Sequence, residues 1–392
     1  WDEWTERRKP EVYNGRNMDY LRGLLPDQTP VCPHLKNWND SPQTAVPINV
    51  AAHSPASSSG AAPAGGQKYT FKQLWTRAEV AKKAGNVEES IQCYDAALGQ
   101  AEEQGEITED LLFSLMNVGR EFQGLGNHAQ AIKFLRKCVV LSEQHHSNPD
   151  FTADLFNDIA YSQRTTRDFD GAVSSLDESL RRKRANSNTP PLSLARTLID
   201  LGTLHDFCMR REAAAPLLTE ARAIYAAHLP DNDPQHLYLK NVYACLLTHI
   251  GKYDDAEKLY DHVIKERVKL LGENSSDVAF TYNDLGFHHK STGNFEASEK
   301  AFRKCIEIRQ KVLGSEDLEV AAAHDDLSWM FREKGDFAQA KRELEKALAI
   351  RKRLLVPGDS QVSMTYLALA DVCNELGDKQ GAAQARKNAE RK

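Results

Sequence analysis

The chain has 392 residues, enough for two or three ordinary domains by length alone. Its 56 acidic and 50 basic residues leave a formal net charge of −6, with none of the basic excess that nucleic-acid binders usually show. No apolar stretch approaches the roughly 20 residues of a transmembrane helix.

Residues 1–67 differ in composition from the rest of the chain. They hold three of the five tryptophans (Trp1, Trp4 and Trp38) and six prolines before position 50. The stretch 51–67, AAHSPASSSGAAPAGGQ, is a low-complexity linker that buries too little apolar surface to fold alone. The segment is expected to be an extended arm, either folded back on its own chain or threaded across other subunits of an assembly. Trp1, Trp4, Tyr13, Tyr20 and Trp38 are its expected anchors, because aromatics supply large contact area at binding hot spots. The sequence does not begin with Met, which leads us to expect a processed or longer precursor. An organelle such as the mitochondrion or plastid is then one expected location, and the cytoplasm the other.

From Gly85 onward one phrase recurs eight times. It reads GNVEESIQCY at Gly85, GNHAQAIKFL at Gly126, RDFDGAVSSL at Arg167 and MRREAAAPLL at Met209. It continues as GKYDDAEKLY at Gly251, GNFEASEKAF at Gly293, GDFAQAKREL at Gly335 and GDKQGAAQAR at Gly377. Successive copies begin 41, 41, 42, 42, 42, 42 and 42 residues apart, and such a period is the signature of a solenoid. In a solenoid, function resides on a long surface more often than in a compact pocket.

The sixth copy shows the unit. Val278, Ala279, Tyr282, Leu285 and Gly286 recur at helical spacing, and Thr292, Gly293 and Asn294 break the helix. A second helix follows, with Phe295, Ser298, Phe302, Cys305, Ile306 and Ile308 on one face, and Leu313-Gly314 ends it. Asp317 is the expected N-cap of the next pair, with Glu319 in its first turn. Gly286 faces the second helix, and Ser298 stands where other copies place Ala131, Ala172, Ala214, Ala256, Ala340 and Ala382. A small residue there lets the two helices approach. The larger side chain four positions on (Tyr94, Leu135, Leu176, Leu218, Tyr260, Phe302 or Leu344) fills the groove beyond.

Gly-x-aromatic-x-x-Ala, with a further small residue at Ala97, Ala221, Ala347 or Ala389, resembles the tetratricopeptide repeat. The long period, the Leu-Gly closures at Leu271-Gly272 and Leu313-Gly314, and the VAFTYNDLG start resemble the kinesin-light-chain type. The resemblance covers about 69–392. It implies an all-α fold, a right-handed α-solenoid of about eight helix-turn-helix repeats over 68–392, with the arm of 1–67 extending from it. It also implies a groove lined by first helices. Asn, frequent three residues before the small residue of the first helix in that type, matches Asn157, Asn241 and Asn283, with Asp325 in the seventh copy. An Asn side chain can clamp an extended peptide backbone through its paired donor and acceptor. Tyr161, Arg164, Thr248, Phe287, Lys290, Trp329 and Arg332 are the implied neighbours, whereas Met116, Ile199 and Leu367 depart from the Asn pattern.

The remaining chemistry-bearing residues read as structural. Seven cysteines form no C-x-x-C pair, and Cys93, Cys138 and Cys305 fall on inward faces as small core residues in a reducing compartment. Arg181-Arg182-Lys183-Arg184 ends a second helix, where cations are favoured. Within His145-His146 and His288-His289, adjacent helical side chains diverge by about 100°, so no metal or cofactor is expected. No G-x-S-x-G, H-E-x-x-H or G-x-x-x-x-G-K motif is present. The last copy, GDKQGAAQARKNAERK, reads as a polar terminal cap. The expected function is a non-enzymatic protein–protein interaction scaffold, an accessory subunit of a larger assembly. The alternative is a soluble adaptor that captures short peptide motifs in its groove.

Overall fold

The computed structural model describes residues 69–145, 148–356 and 358–390. The arm of 1–67, with Trp1, Trp4, Tyr13, Tyr20 and Trp38, lies outside the described residues, as does His146 of the first histidine pair. Among the described residues there are sixteen α-helices and no strand. The first five are α1 (Phe71–Lys83), α2 (Val87–Gln104), α3 (Glu109–Gly124), α4 (His128–Gln144) and α5 (Pro149–Thr165). Then come α6 (Phe169–Ala185), α7 (Pro191–Phe207), α8 (Arg211–His228), α9 (Pro234–His249), α10 (Tyr253–Leu271) and α11 (Ser276–Ser291). The last are α12 (Phe295–Leu313), α13 (Leu318–Lys334), α14 (Phe337–Leu354), α15 (Ser360–Glu375) and α16 (Lys379–Ala389). Odd-numbered helices are the first helices of the eight repeats and even-numbered ones the second.

The helix ends follow from the sequence. At Gly293 the chain takes φ of 77°, its amide bonds to the Lys290 carbonyl, and the Asn294 amide reaches back to His289. This left-handed closure favours glycine, which has no Cβ to clash. Asn294 then caps α12, its Oδ1 accepting from the Ala297 amide at 3.1 Å. Asp317 caps α13 as expected, its Oδ1 accepting from the Glu319 amide at 2.8 Å. Arg167 and Met209, where the phrase lacks glycine, adopt the same left-handed backbone at φ of 66° and 63°. Those two turns are therefore kept at a conformational cost rather than replaced by another geometry.

The hairpin cores match the register. A Cβ at Gly286 would lie 2.8 Å from Phe302, at Gly119 2.7 Å from Leu135, and at Gly202 2.8 Å from Leu218. No side chain fits in those gaps. Ser298 is buried, and its Oγ donates to the Gly286 carbonyl at 2.7 Å, which adds a hydrogen bond that Ala at this position cannot make. Ala131, Ala172, Ala214, Ala256, Ala340 and Ala382 are likewise buried. Cys93, Cys138 and Cys305 are in the core, and burial pushes the Cys138 thiol up to about 12.

The described residues fall into two compact units, one ending at Thr166 and one running from Arg167. The N-terminal unit holds α1 to α5 around Tyr94, Leu98, Leu115, Phe122, Phe134 and Leu135. The C-terminal unit holds α6 to α16, with cores around Phe302, Ile308, Leu327, Phe331 and Leu344 and around Ala256, Tyr260 and Leu285. Within the repeat domain expected over 68–392, internal contacts group the described helices into these two units. The division falls at the first turn that lacks glycine.

A second period emerges in the C-terminal unit. Lys183, Tyr225, Arg267, Arg309 and Arg351 occupy one second-helix position, each 42 residues after the last. Four of them reach the residue ten positions on, at the start of the next first helix. Lys183 Nζ donates to Ser193 Oγ at 2.8 Å, Tyr225 Oη to Gln235 Oε1 at 3.5 Å, Arg267 Nη1 to the Asp277 carbonyl at 2.8 Å, and Arg309 Nη1 to the Glu319 carbonyl at 3.1 Å. Arg351 Nη1 reaches Thr365 Oγ1 instead, at 2.5 Å. Lys183 has only 2% of its surface exposed. Within Arg181–Arg184 it is therefore an inter-repeat latch, while Arg181 and Arg182 pair with Glu178 on the surface and Arg184 with Glu220.

Candidate protein-docking surface

In the C-terminal unit, first helices of successive repeats lie side by side and are joined by polar bonds. Asn241 Nδ2 on α9 donates to Asp284 Oδ2 on α11 at 2.6 Å. Thr248 Oγ1 lies 2.8 Å from His288 Nδ1, and Lys290 Nζ on α11 pairs with Glu333 on α13 at 2.9 Å. Asp206 on α7 meets His249 on α9 at 2.8 Å. Each link spans 40 to 43 residues of sequence, close to one repeat period.

The expected groove residues divide by accessibility. Asn241 and Asn283 are wholly buried, and Thr248 nearly so. The Asn241 amide is spent on Asp284, and Cys305 Sγ points at Asn283 Oδ1 from 3.7 Å. Phe287, Lys290, Asp325, Trp329 and Arg332 are partly exposed. Phe287 and Trp329, one period apart, bring their rings to 5.5 Å between centroids. Lys290 Nζ lies 3.4 Å from the Trp329 ring centroid, a cation–π contact that adds to its bond with Glu333. Asp325 Oδ2 pairs with Arg351 Nη1 at 2.5 Å, so its charge is taken up within its own repeat.

In the N-terminal unit, Asn157, Tyr161 and Arg164 are partly exposed on α5. The Arg164 guanidinium lies 5.9 Å from the Tyr161 ring centroid, and the His128 ring packs against the same tyrosine at 6.1 Å. Arg120 on α3 pairs with Asp158 on α5 at 2.7 Å, and Gln123 Nε2 donates to Ser162 Oγ at 2.9 Å.

The histidine pair on α11 has a structural setting. His288 is buried between Thr248 and the rings of Tyr253 and Tyr260, at 6.0 and 5.6 Å, and the His289 ring is 5.3 Å away. Burial, aided by the neighbouring His289, pushes its pKa down to about 4, so the ring is neutral at pH 7. Among the described residues no three His, Cys, Asp or Glu side chains are placed to hold a metal ion, and no helix is long and apolar enough to cross a membrane.

Beside the expected register of Asn157, Asn241, Asn283 and Asp325 runs another that sequence reasoning missed. Asp200, Val242, Asp284 and Asp326 succeed each other at 42-residue intervals on the same first helices. The signal was the same 42-residue period, applied one residue further along.

The tetratricopeptide-repeat family model matches residues 72–144, 237–311 and 277–353. These stretches are tetratricopeptide repeats. The matched stretches leave out 145–236, where the two turns without glycine lie. The comparison with curated proteins finds no match. Among solved structures, the repeats resemble BtubC (BKLC) from P. vanneervenii at 25% identity and TM-score 0.47, covering 57% of this chain and 89% of that one. They resemble a putative kinesin light chain of Podosopora anserina with nearly identical TPR-like repeats at 20% identity and TM-score 0.45, covering 51% and 94%. NprR in complex with its cognate peptide NprX is similar in fold at 11% identity and TM-score 0.52, covering 81% and 88%. Tetratricopeptide repeats generally mediate protein–protein interaction, and no catalytic family is matched.

Proposed function

We propose that the chain is a non-catalytic scaffold that docks other proteins on the first-helix face of its C-terminal unit, as an accessory subunit of a larger assembly. The observation that carries this reading is the partly exposed Phe287–Trp329 pair on α11 and α13. Aromatics in such settings supply most of the energy at interfaces. The inter-helix bonds from Asn241, Thr248 and Lys290 support the reading, because they hold the backbone under that pair rigid before a partner arrives.

A second reading, a soluble adaptor that captures short peptides reversibly, is favoured by the side-by-side first helices, which offer an extended peptide a continuous track. The fold likeness to NprR, solved with its cognate peptide, is compatible with it. Co-purification of the tagged full chain from its native source, compared with Trp329→Ala, tests the scaffold reading. We expect the same partners in stoichiometric amounts with the parent chain and a loss of about tenfold or more with the variant. A chain recovered only as a free monomer overturns the assembly reading. Unchanged partner recovery with Trp329→Ala removes the docking surface from this face.

A further inference from the structure

Two rows of uncharged side chains cross the first helices of the C-terminal unit, the members of each row 42 residues apart. One row holds Tyr238, Phe280, Ala322 and Met364, on α9, α11, α13 and α15. The other holds Cys245, Phe287 and Trp329, each seven residues further along its helix. All of these side chains are partly exposed. A step of seven residues returns to the same helix face about two turns on, so the rows run side by side roughly 10 Å apart.

The charged groups on and beside this face are engaged within the fold. Asp325 pairs with Arg351 and Lys290 with Glu333. The buried Asp284 accepts from Asn241 and Cys245 and lies in the field of the buried Arg267. Asp326 and Arg332 also interact with other groups. A charged segment laid on the rows would lose hydration without gaining an uncompensated counter-charge, a cost that neutral side chains do not carry.

The backbone of the occupant is constrained as well. Asn241 and Asn283, which fall between the two rows on their helices, are wholly buried, and the Asn241 amide donates to Asp284. An extended segment would therefore set its N–H and C=O groups against an apolar surface with no clamp for them. A helix satisfies those groups internally. With its side chains it is about 10–12 Å across, which matches the spacing of the rows. Apolar residues at i, i+3, i+4 and i+7 would line its docking side.

We propose that this face takes an amphipathic helix of a partner protein, held through a neutral aromatic or aliphatic stripe rather than through charge. The proposal rests on the reading of this face as the docking surface and names the chemistry of what docks there.

The test uses the full chain and two fluorescein-labelled synthetic peptides of identical composition, built from Leu, Gln and a few Lys and Glu in equal number. One places Leu at i, i+3, i+4 and i+7, the other at every second position, and fluorescence anisotropy reads binding. The helix-patterned peptide is expected to bind at least about tenfold more tightly and to gain helical circular dichroism when bound. Its affinity is expected to change less than about twofold between about 0.05 M and about 0.5 M salt. Phe280→Ala and Trp329→Ala are each expected to weaken it about tenfold. If those variants do not fold, Ala322→Glu, at a partly exposed position of the first row, is expected to weaken it severalfold. Val140→Ser, at an exposed position on a second helix of the N-terminal unit, is expected to leave binding unchanged. Equal or tighter binding of the alternating peptide, an affinity that falls about tenfold with salt, or equal loss with Val140→Ser overturns the proposal. If neither peptide binds while native partners are still lost with Trp329→Ala, the helix class fails and the docking surface stands. If Trp329→Ala also leaves partner recovery unchanged, both fail.

Discussion

The same second-helix position is filled differently in the two units. In the N-terminal unit it holds Ala101 and Ser142, and Ser142 Oγ meets Thr152 Oγ1 at 2.6 Å. In the C-terminal unit it holds Lys183, Tyr225, Arg267, Arg309 and Arg351. A hydroxyl pair is neutral and contributes about 1 kcal/mol net. A buried cation is held by what surrounds it, and desolvation lowers the Arg267 pKa from its usual range. The contrast separates two ways of joining repeats. One relies on apolar packing with a small polar bond, and the other on a long side chain that closes the loop into the next helix. The second makes each junction more dependent on a single residue.

The largest expected effect tests this difference. Arg267→Ala removes the bonds to the Asp277 carbonyl and Thr281 Oγ1 and leaves a gap between α10 and α11, at a cost of about 2–5 kcal/mol by denaturant unfolding. Ser142→Ala is expected to cost about 1 kcal/mol. Equal losses would break the distinction between the units. Next in size is hairpin packing, common to both. Ala256→Leu and Gly286→Ala each force a side chain into an occupied gap and should cost about 1–3 kcal/mol, read by the same unfolding curves.

The pH dependence of the C-terminal unit follows from His288. Its folded pKa, near 4, lies below the unfolded value of about 6.5, so the unfolded chain takes up the proton first. The corresponding stability is fully present above about pH 6.5 and is lost as pH falls toward 4, on the order of 2–3 kcal/mol. His288→Gln should flatten that slope in unfolding free energy measured across the window, and an unchanged slope would show that other groups set it. The smallest effect concerns the turns. Met209→Gly relieves a left-handed backbone but loosens the unfolded chain, for a net gain of about 0.5–1 kcal/mol in thermal or denaturant unfolding.

Much of the fold was legible because a repeat states its rules several times. Gly286 against Phe302, Ser298 in the Ala position and Asp317 as a cap each follow from local chemistry that one repeat displays and others confirm. The turns at Arg167 and Met209 could not be read this way, since an L-residue rarely adopts that backbone and nothing local announces it. Lys183 was read with its surface neighbours because composition shows a run of charges, whereas burial depends on which of them faces the next repeat. For the candidate surface, the register placed Asn241 and Asn283 on first helices, where the structure has them. It did not foresee that Asp284 would take the Asn241 amide and that both Asn side chains would be enclosed. Phe287, Lys290 and Trp329 came together as the period required, and the Glu333 bond that holds Lys290 became visible only in three dimensions.

Crosslinking mass spectrometry of the chain in its native complexes tests the central claim most directly. The account predicts crosslinks from partner proteins concentrated at the exposed Lys334 of α13 and neighbouring positions of α11 and α13. Crosslinks spread over the second helices, with α11 and α13 bare, would contradict it.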